Sequence, residues 1–572
     1  MLLMYKQLVK QLSRNKIFIT LLLLLTTLTS LSYFFVIFSI DGNMAALSTL
    51  SNLTENQRLY ENALNANIFL AYTFLSSTIG LTAFVFVMFF YRFYRSNKRQ
   101  IGCLKSLGFK DGPLQSCFIT FVAILSVIGA VLGLVGGYFL SDVLINANMR
   151  TYLVTGLVKE ASVVSLIIGF GAPTLIFCVT ALLCYSFVHG KEPGELIAAN
   201  SNHAQFSFSL RTANRISSIL PVRNKFPLRA ALRKPIAALL IIIAVMSFSV
   251  CMIMGYSLNM SSQTVLKSQT TGHNYEYDTK FSEYQTKPVL ESVMAYLENP
   301  AELIIGRYHI EKQTIVGLYN IDDLYKLQDM AGGILTMMKP GTVYINPGLS
   351  DTYGVNVDDT LVVDIGGGKY SFIVSGVAYN AKSTCVYINA KELSEILSVT
   401  DGSYNGVLSM EKIIGGETTI TKPERIEELD RNAVSSSISA VINQSIGGIV
   451  GTVLIFLALY VNFQDNTRDM LILHMMGYRV RNIRKMLIDV YLPIVWAAFI
   501  VTLAPSVLLA SSIQKSFSVA TNEYMPFGTS VIVILIIFIF LNLIYYLVQS
   551  LFGLGIKRTI HKDEVLEFVY AE

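Results

Sequence analysis

Charge is scarce in this chain. Only 15% of its 572 residues are Asp, Glu, Lys or Arg, against about 25% in soluble globular domains. Hydrophobic residues make up 53%, and the mean hydropathy is +0.52. The deficit is local, because long apolar runs alternate with polar, charge-bearing segments. Cysteine is also sparse: Cys103, Cys117, Cys178, Cys184 and Cys251 lie in or beside apolar runs, and Cys385 alone falls in the one long polar segment. That segment therefore has no internal disulfide. There is no CxxC pair or Cys/His cluster, and the histidines (His189, His203, His273, His309, His474, His561) form no pair at ligand spacing. These absences exclude the usual sequence signatures of a metal site. A phosphate-binding loop is missing too. The nearest stretch, Gly366-Gly367-Gly368-Lys369, is followed by Tyr370 where such a loop needs Ser or Thr, so it reads as a turn. Acids inside the apolar runs are almost absent. Asp489 is the main exception, near a run end where Arg484 or Lys485 can pair with it. Intramembrane acids mark proton and ion relays, and without a series of them a proton-coupled carrier loses its main support.

What the chain does have is apolar length. A run of about 18 residues can cross a hydrocarbon core roughly 30 Å thick. Eight runs reach that length, near 17–40, 67–91, 114–140, 161–188, 235–257, 441–463, 487–510 and 529–553. Inside lipid the backbone must satisfy its own hydrogen bonds, so such runs are helices. The expected fold is an α-helical polytopic membrane protein of eight transmembrane helices in two four-helix repeats, with one α+β extracytoplasmic domain. Basic residues in short loops set orientation. Lys6, Lys10, Arg14 and Lys16 precede the first run, and Arg92 through Lys110 separate the second from the third. Arg211 through Lys234, Arg468 through Lys485, and Lys557, Arg558 and Lys562 complete the pattern. All five segments fall on one side if every run crosses, which places both termini in the cytoplasm. This asymmetry accounts for the net charge of +5 without a nucleic-acid partner. The first run is too long, and lacks a clean small-residue end, for a cleavable signal peptide.

One polar segment occurs twice. It reads Asn97-Lys-Arg99-Gln100-Ile101-Gly-Cys-Leu104-Lys-Ser-Leu107-Gly108-Phe109-Lys110 and again Asn466-Thr-Arg468-Asp469-Met470-Leu-Ile-Leu473-His-Met-Met476-Gly477-Tyr478-Arg479. Matched positions lie 369 residues apart, and each copy follows one apolar run and precedes two more. Ile101, Leu104 and Leu107, like Met470, Leu473 and Met476, recur at helical spacing. Glycine, then an aromatic, then a base reads as a helix C-cap with a cation beside it. A basic loop drawn to lipid headgroups would need only the charges. The shared spacing, apolar stripe and glycine favour a short helix inserted into a groove on a partner. The candidate partner-binding residues are Arg99, Gln100, Ile101, Leu104, Leu107, Gly108, Phe109 and Lys110, with Arg468, Asp469, Met470, Leu473, Met476, Gly477, Tyr478 and Arg479. No catalytic, cofactor or metal residue is nominated.

The halves are unequal. Residues 1–66 are expected to hold an N-terminal elbow, the first span and a short outer loop, and 67–197 three spans. A basic linker with a second elbow (198–234) and the fifth span (235–258) lead to an extracytoplasmic domain with a stalk (259–440). The last three spans and tail follow (441–572). Ordinary positive-inside flanks would explain the elbow charges as well as an interfacial helix does. In the long polar segment, Thr342–Asn346, Thr360–Asp364, Tyr370–Val374 and Val386–Asn389 read as strands, the middle two as a hairpin about the glycines. Ala390–Leu397 reads as helix, and 259–270 and 421–440 as helical extensions of the adjoining spans. Gly129, Gly133, Gly136 and Gly137 permit close helix contact, either within the chain or between two copies.

The repeated motif carries a resemblance. Arg99, Ile101, Leu104, Gly108, Phe109 and Lys110, between the first two of three clustered runs, resemble the FtsX-like domain of ABC permeases. Met470 stands at the isoleucine position of the second copy. An acid commonly follows the arginine in that family; Asp469 keeps it and Gln100 does not, which implies that the first copy couples differently. Glu192-Pro-Gly-Glu-Leu196 is similar to the family's closing residues. Val343–Ser350, Gly354–Val363 and Tyr370–Gly376 are similar to the extracytoplasmic core of MacB-type permeases. The resemblance implies a non-enzymatic permease in a bacterial cell membrane, supplying both permease halves. Its partner would be a cytosolic ABC ATPase dimer, which binds the ATP and Mg. ATP-driven closure would move the outer domain, a process called mechanotransmission. The implied roles are export, extraction or resistance involving peptides or lipid-like substrates, or activation of cell-wall hydrolases. Two other readings stand beside it: a secondary transporter, whose repeats are often inverted whereas these share an orientation, and a receptor or scaffold signalling through its outer domain.

Overall fold

The computed structural model describes residues 16–50, 54–186, 190–197, 235–286, 293–306, 308–321, 323–465, 472–479, 482–483, 485, 489, 491–521 and 524–560. The first elbow (apart from Lys16) and the linker 198–234 lie outside them. In chain order the helices are α1 (Lys16–Ile37), α2 (Asp41–Ser48), α3 (Glu55–Ser96), α4 (Lys98–Ser106), α5 (Asp111–Tyr152), α6 (Val163–Tyr185), α7 (Pro193–Ile197) and α8 (Pro235–Thr270). They continue as α9 (Pro347–Tyr353), α10 (Ala390–Ile396), α11 (Lys422–Asp465), α12 (Tyr491–Thr521) and α13 (Val531–Ile560). Among the described residues seven helical stretches are long and apolar enough to cross a membrane: α1 with α2, α3, α5, α6, α8, α12 and α13. The run expected at 441–463 lies in α11, where the described apolar stretch Gln444–Tyr460 is shorter than the others.

Two compact units result. The first takes Met1–Ile253, Ile442–Ala510 and Ser530–Glu572. Here α1 is the hub, and its polar side chains show why an apolar helix tolerates them. Thr26, Thr29 and Ser32 return their hydroxyls to the carbonyls of Leu23, Leu25 and Thr29 at 2.9, 2.8 and 3.0 Å, so each donor is met within the helix. The Thr29 hydroxyl also lies 3.0 Å from that of Thr82 on α3. Against α5 the contact is backbone to backbone. A Cβ on Gly133 would stand 2.7 Å from the Leu31 nitrogen, and one on Gly137 2.7 Å from the Phe34 Cβ. The small-residue stripe is therefore used within the chain. Gly451 on α11, at the position matching Thr82, sits likewise on α8, where a Cβ would meet the Phe248 Cβ at 2.9 Å. The second helix of each half thus crosses the first at the same point. Beyond α1, Asn43 exchanges two hydrogen bonds with the Val158 backbone at 3.0 and 2.9 Å, and the Ser162 amide donates to Asp41 at 2.7 Å. These bonds fasten α2 to the loop between α5 and α6.

The second unit takes Met254–Val441 and Ser511–Thr529. Its strands are β1 (Tyr277–Gln285), β2 (Val293–Ile305), β3 (Tyr308–Leu318), β4 (Thr342–Ile345), β5 (Thr360–Ile365), β6 (Gly368–Val377), β7 (Cys385–Asn389), β8 (Tyr404–Ser409) and β9 (Thr418–Thr421). In the order β3-β7-β4-β6-β5-β2, with β2 pairing back on β3, six of them close a barrel; β8, β1 and β9 extend it beyond β2. Leu303, Ile315, Val343, Leu361, Val363, Val374, Val386 and Ile388 fill one fully buried core. Closure spares the barrel open edges. Gly366 and Gly367 turn from β5 to β6 with φ of 59° and 89°, values a left-handed two-residue hairpin turn needs. The Gly367 amide bonds the Asp364 carboxylate at 2.9 Å. This stretch is a turn.

A second cluster lies outside the barrel, where α8 ends and α11 begins. The Arg425 guanidinium stands 4.0 Å over the Tyr275 ring, a cation–π contact. Asp278, 3% exposed, accepts from Tyr296 at 2.6 Å and Lys382 at 3.1 Å. Burial alone would push its carboxyl up, but the Lys382 ammonium and the Tyr296 hydroxyl more than offset this and hold it below its ordinary value. His273, 2% exposed, bonds the Asn380 carbonyl through Nε2 at 2.8 Å. The α12–α13 loop also belongs to this unit. Tyr524 donates to Asp351 at 2.8 Å, the Thr352 and Ser518 hydroxyls lie 3.2 Å apart, and the Gly528 amide bonds the Ser257 hydroxyl at 3.0 Å.

Two measurements check this packing. Gly133→Leu should lower the thermal midpoint of the solubilised chain, at a cost of about 2 kcal/mol or more, because the clash is with backbone. Gly136→Leu, which meets only the flexible end of Leu31, should cost less. Burial, with Arg425 and Lys382 nearby, lowers the His273 pKa from 6.5 to about 3. The folded chain therefore binds fewer protons than the unfolded one between those values, and stability falls as pH drops through that window. The slope from this residue approaches about 1.4 kcal/mol per pH unit. His273→Gln should flatten the acid dependence of thermal unfolding between pH 6.5 and 4.5; an unchanged slope would contradict the assignment.

Candidate functional site

The repeated segment folds from its own backbone. Asn97 alone separates α3 from α4; its side chain donates to the Phe93 carbonyl at 2.8 Å while its carbonyl takes the Ile101 amide at 3.0 Å. Nine residues later the helix closes. The Phe109 amide reaches the Leu104 carbonyl at 3.2 Å and the Gly108 amide the Lys105 carbonyl at 3.0 Å, with Gly108 at φ 90°. This pair of bonds around a left-handed glycine is a Schellman cap.

The second copy closes in the same way. The Tyr478 amide bonds the Leu473 carbonyl at 3.1 Å, the Gly477 amide bonds the His474 carbonyl at 2.9 Å, and Gly477 has φ 87°. Residues 472–475 are helical. Arg468, Asp469 and Met470 lie outside the described residues. Any side chain at Gly108 or Gly477 would be strained, since L residues other than Asn and Asp rarely adopt that φ.

The two copies also present the same position outward. Leu107 and Met476 match in the repeat, and they are 75% and 69% exposed. Arg99, Gln100, Gly108 and Lys110 are exposed in the first copy, as are Gly477, Tyr478 and Arg479 in the second; Leu104, Phe109 and Leu473 are half-buried. Each turn thus offers a large apolar side chain beside an exposed glycine, with an exposed cation (Lys110 or Arg479) close by in sequence. Such a surface can enter an apolar groove with an acidic rim.

Ile101 is placed differently. It is 1% exposed, on the side of α4 that meets α7. A Cβ on the adjacent Gly102 would lie 2.9 Å from side-chain atoms of both Leu196 and Ile197. Ile101 therefore anchors the helix from behind and does not face out with Leu107. Sequence reading noted Pro193–Leu196 only as a closing motif; its contact with Gly102 depends on chain folding that no local pattern encodes.

The β-domain holds a cavity of about 150 Å³, lined in part by Tyr275, Tyr296, Tyr325, Tyr387 and Lys382.

A search of curated proteins finds no match to this chain. The profile of the FtsX-like permease C-terminal family matches it twice, over residues 72–193 and 445–552. Each match contains one copy of the capped turn. This chain thus carries two FtsX-like permease domains, a domain type found in ABC-transporter permeases.

Proposed function

We propose that this chain couples ATP hydrolysis by a separate cytosolic ATPase dimer to motion of its β-domain, with the two capped turns as coupling helices. The observation that carries the reading is the repetition of one Schellman cap 369 residues apart, with the matched Leu107 and Met476 both outward. Two equivalent knobs suit a two-fold partner, because an ATPase dimer presents the same groove twice. The architecture behind the reading is eight spans in two four-helix repeats, the sixth running through Gln444–Tyr460 of α11. The basic segments put both termini, α4 and the second turn in the cytoplasm. The β-domain then lies outside a bacterial cell membrane.

The stalk follows from helix continuity. α8 runs on to Thr270 and α11 starts at Lys422, well before its apolar stretch Gln444–Tyr460, so in this reading a shift of α11 passes directly to β9 and one of α8 reaches β1 through residues 271–276. Helices transmit such shifts because their backbone bonds are internal and stiff. Work is delivered outside the membrane, to peptide or lipid-like substrates or to a cell-wall hydrolase. No central pore is required. ATP and Mg belong to the partner, since this chain has no phosphate loop.

Leu107→Glu with Met476→Glu should reduce co-purification with the cytosolic ATPase by about tenfold or more, equivalent to about 1.4 kcal/mol, and abolish its stimulation. Full binding and hydrolysis in that double variant would sink the coupling assignment. Deleting residues 275–420 should spare ATPase binding and eliminate cellular function; survival of function would show that the β-domain is not the working arm.

A further inference from the structure

The two turns share a cap but not a brace. Lys105, on α4, sets its ammonium 2.6 Å from Oδ1 of Asp111, and its side chain is only 7% exposed. The same carboxylate oxygen accepts from the Tyr185 hydroxyl at 2.7 Å, and Lys105 Nζ also lies 3.4 Å from the Lys191 carbonyl. Asp111 opens α5 and Tyr185 closes α6. Tyr185 is 1% exposed and joins an aromatic core. Its ring lies 5.8 Å from that of Tyr94 on α3 and 6.2 Å from that of Phe118 on α5. One carboxylate therefore ties α4 to the ends of two long helices, and through Tyr185 to a third. The positions matching Lys105, Asp111 and Tyr185 in the second half are His474, Val480 and Leu554. Val480 and Leu554 carry no polar group, so this three-way link cannot form there.

We infer that Lys105, Asp111 and Tyr185 are positioning residues that make α4 move as one body with α5 and α6, a stiff linkage built into the first coupling site and absent from the second. This rests on the coupling role proposed above. The physical ground is that an ammonium almost removed from water is strongly held to its partner, since separating them strands a charge. A Tyr–carboxylate bond in the same place adds direction. A push on the exposed Leu107 is then delivered to α5 and α6 instead of being absorbed by rotation of α4. At the second site the residues matching Asp111 and Tyr185 are apolar, so the same push is not delivered through this three-way link.

The test uses the full-length chain in phosphatidylethanolamine/phosphatidylglycerol nanodiscs, with Cys103 kept as the sole cysteine. Cys103 is on α4 and exposed, and can carry a nitroxide label. Asp111→Asn and Tyr185→Phe should each shorten the label's rotational correlation time about twofold, into the range of a loosened loop. Lys105→Asp should do the same, and adding Asp111→Lys should bring the mobility back only to the level of Tyr185→Phe, because the ion pair returns but the acceptor for Tyr185 does not. In the complex with its ATPase, the single variants should still bind the partner but lose stimulation of ATP hydrolysis, and the charge-swapped pair should stimulate no better than Tyr185→Phe. Unchanged label mobility in Asp111→Asn and Tyr185→Phe would overturn the brace. Raised mobility with full stimulation would overturn its role in transmission. If the unaltered chain binds no ATPase, the coupling reading fails and transmission with it, while label mobility still decides the brace.

Discussion

The approach of α5 to α1 governs the first unit. In an apolar solvent, helices gain little from burying apolar surface, so they associate where backbones can come close enough for dense contact and short polar links. Gly129, Gly133 and Gly137 supply that closeness along one edge of α5, and Thr and Ser on α1 fill it without leaving a donor unmet. The remaining packing of the first half follows from α1 being held there. Thr29 meets Thr82 of α3, and Phe34 fits the space at Gly169 of α6 while facing the Phe170 ring at 5.7 Å. A side chain on Gly133 would disturb all of these together.

Repetition and asymmetry coexist in this chain, and they come from different kinds of interaction. The capped turn is local: it needs one residue able to adopt positive φ, a helical stretch before it and two backbone bonds. A local device survives in both halves even though the surroundings have diverged. The linkage behind it is tertiary. It draws Lys105, Asp111 and Tyr185 from three helices, and two of the matched positions in the second half have become apolar. Equivalent capped turns can therefore sit on unequal supports, in keeping with only the second half carrying a β-domain among the described residues.

The β-domain shows where local patterns mislead. Thr342–Ile345, Thr360–Ile365, the glycine turn, Gly368–Val377 and Cys385–Asn389 were legible, because each strand is short, rich in β-branched residues and bounded by turn residues. β1, β2, β3, β8 and β9 were not. β1 is mostly polar, with consecutive exposed residues Ser282, Glu283 and Tyr284, and β2 carries Pro300 within its length. Such residues argue against a strand when read alone. Pairing with neighbours far along the chain decides them: β1 lies between β8 and β9, more than a hundred residues away, and the barrel closes only when β2 meets β3.

By itself the sequence determined whatever depends on composition and short spacing: the apolar helices, the two matching glycine caps and the hairpin glycines. Those features rest on backbone hydrogen bonding and local conformational preference, which operate over a few residues. Tertiary structure alone decided which surface each residue serves. It turned Ile101 inward and Leu107 outward, spent the glycine stripe of α5 on α1, closed the barrel, and gathered Lys105, Asp111 and Tyr185 on one carboxylate oxygen. Those outcomes depend on partners 6 to 80 residues apart or more, where no periodicity in the sequence points.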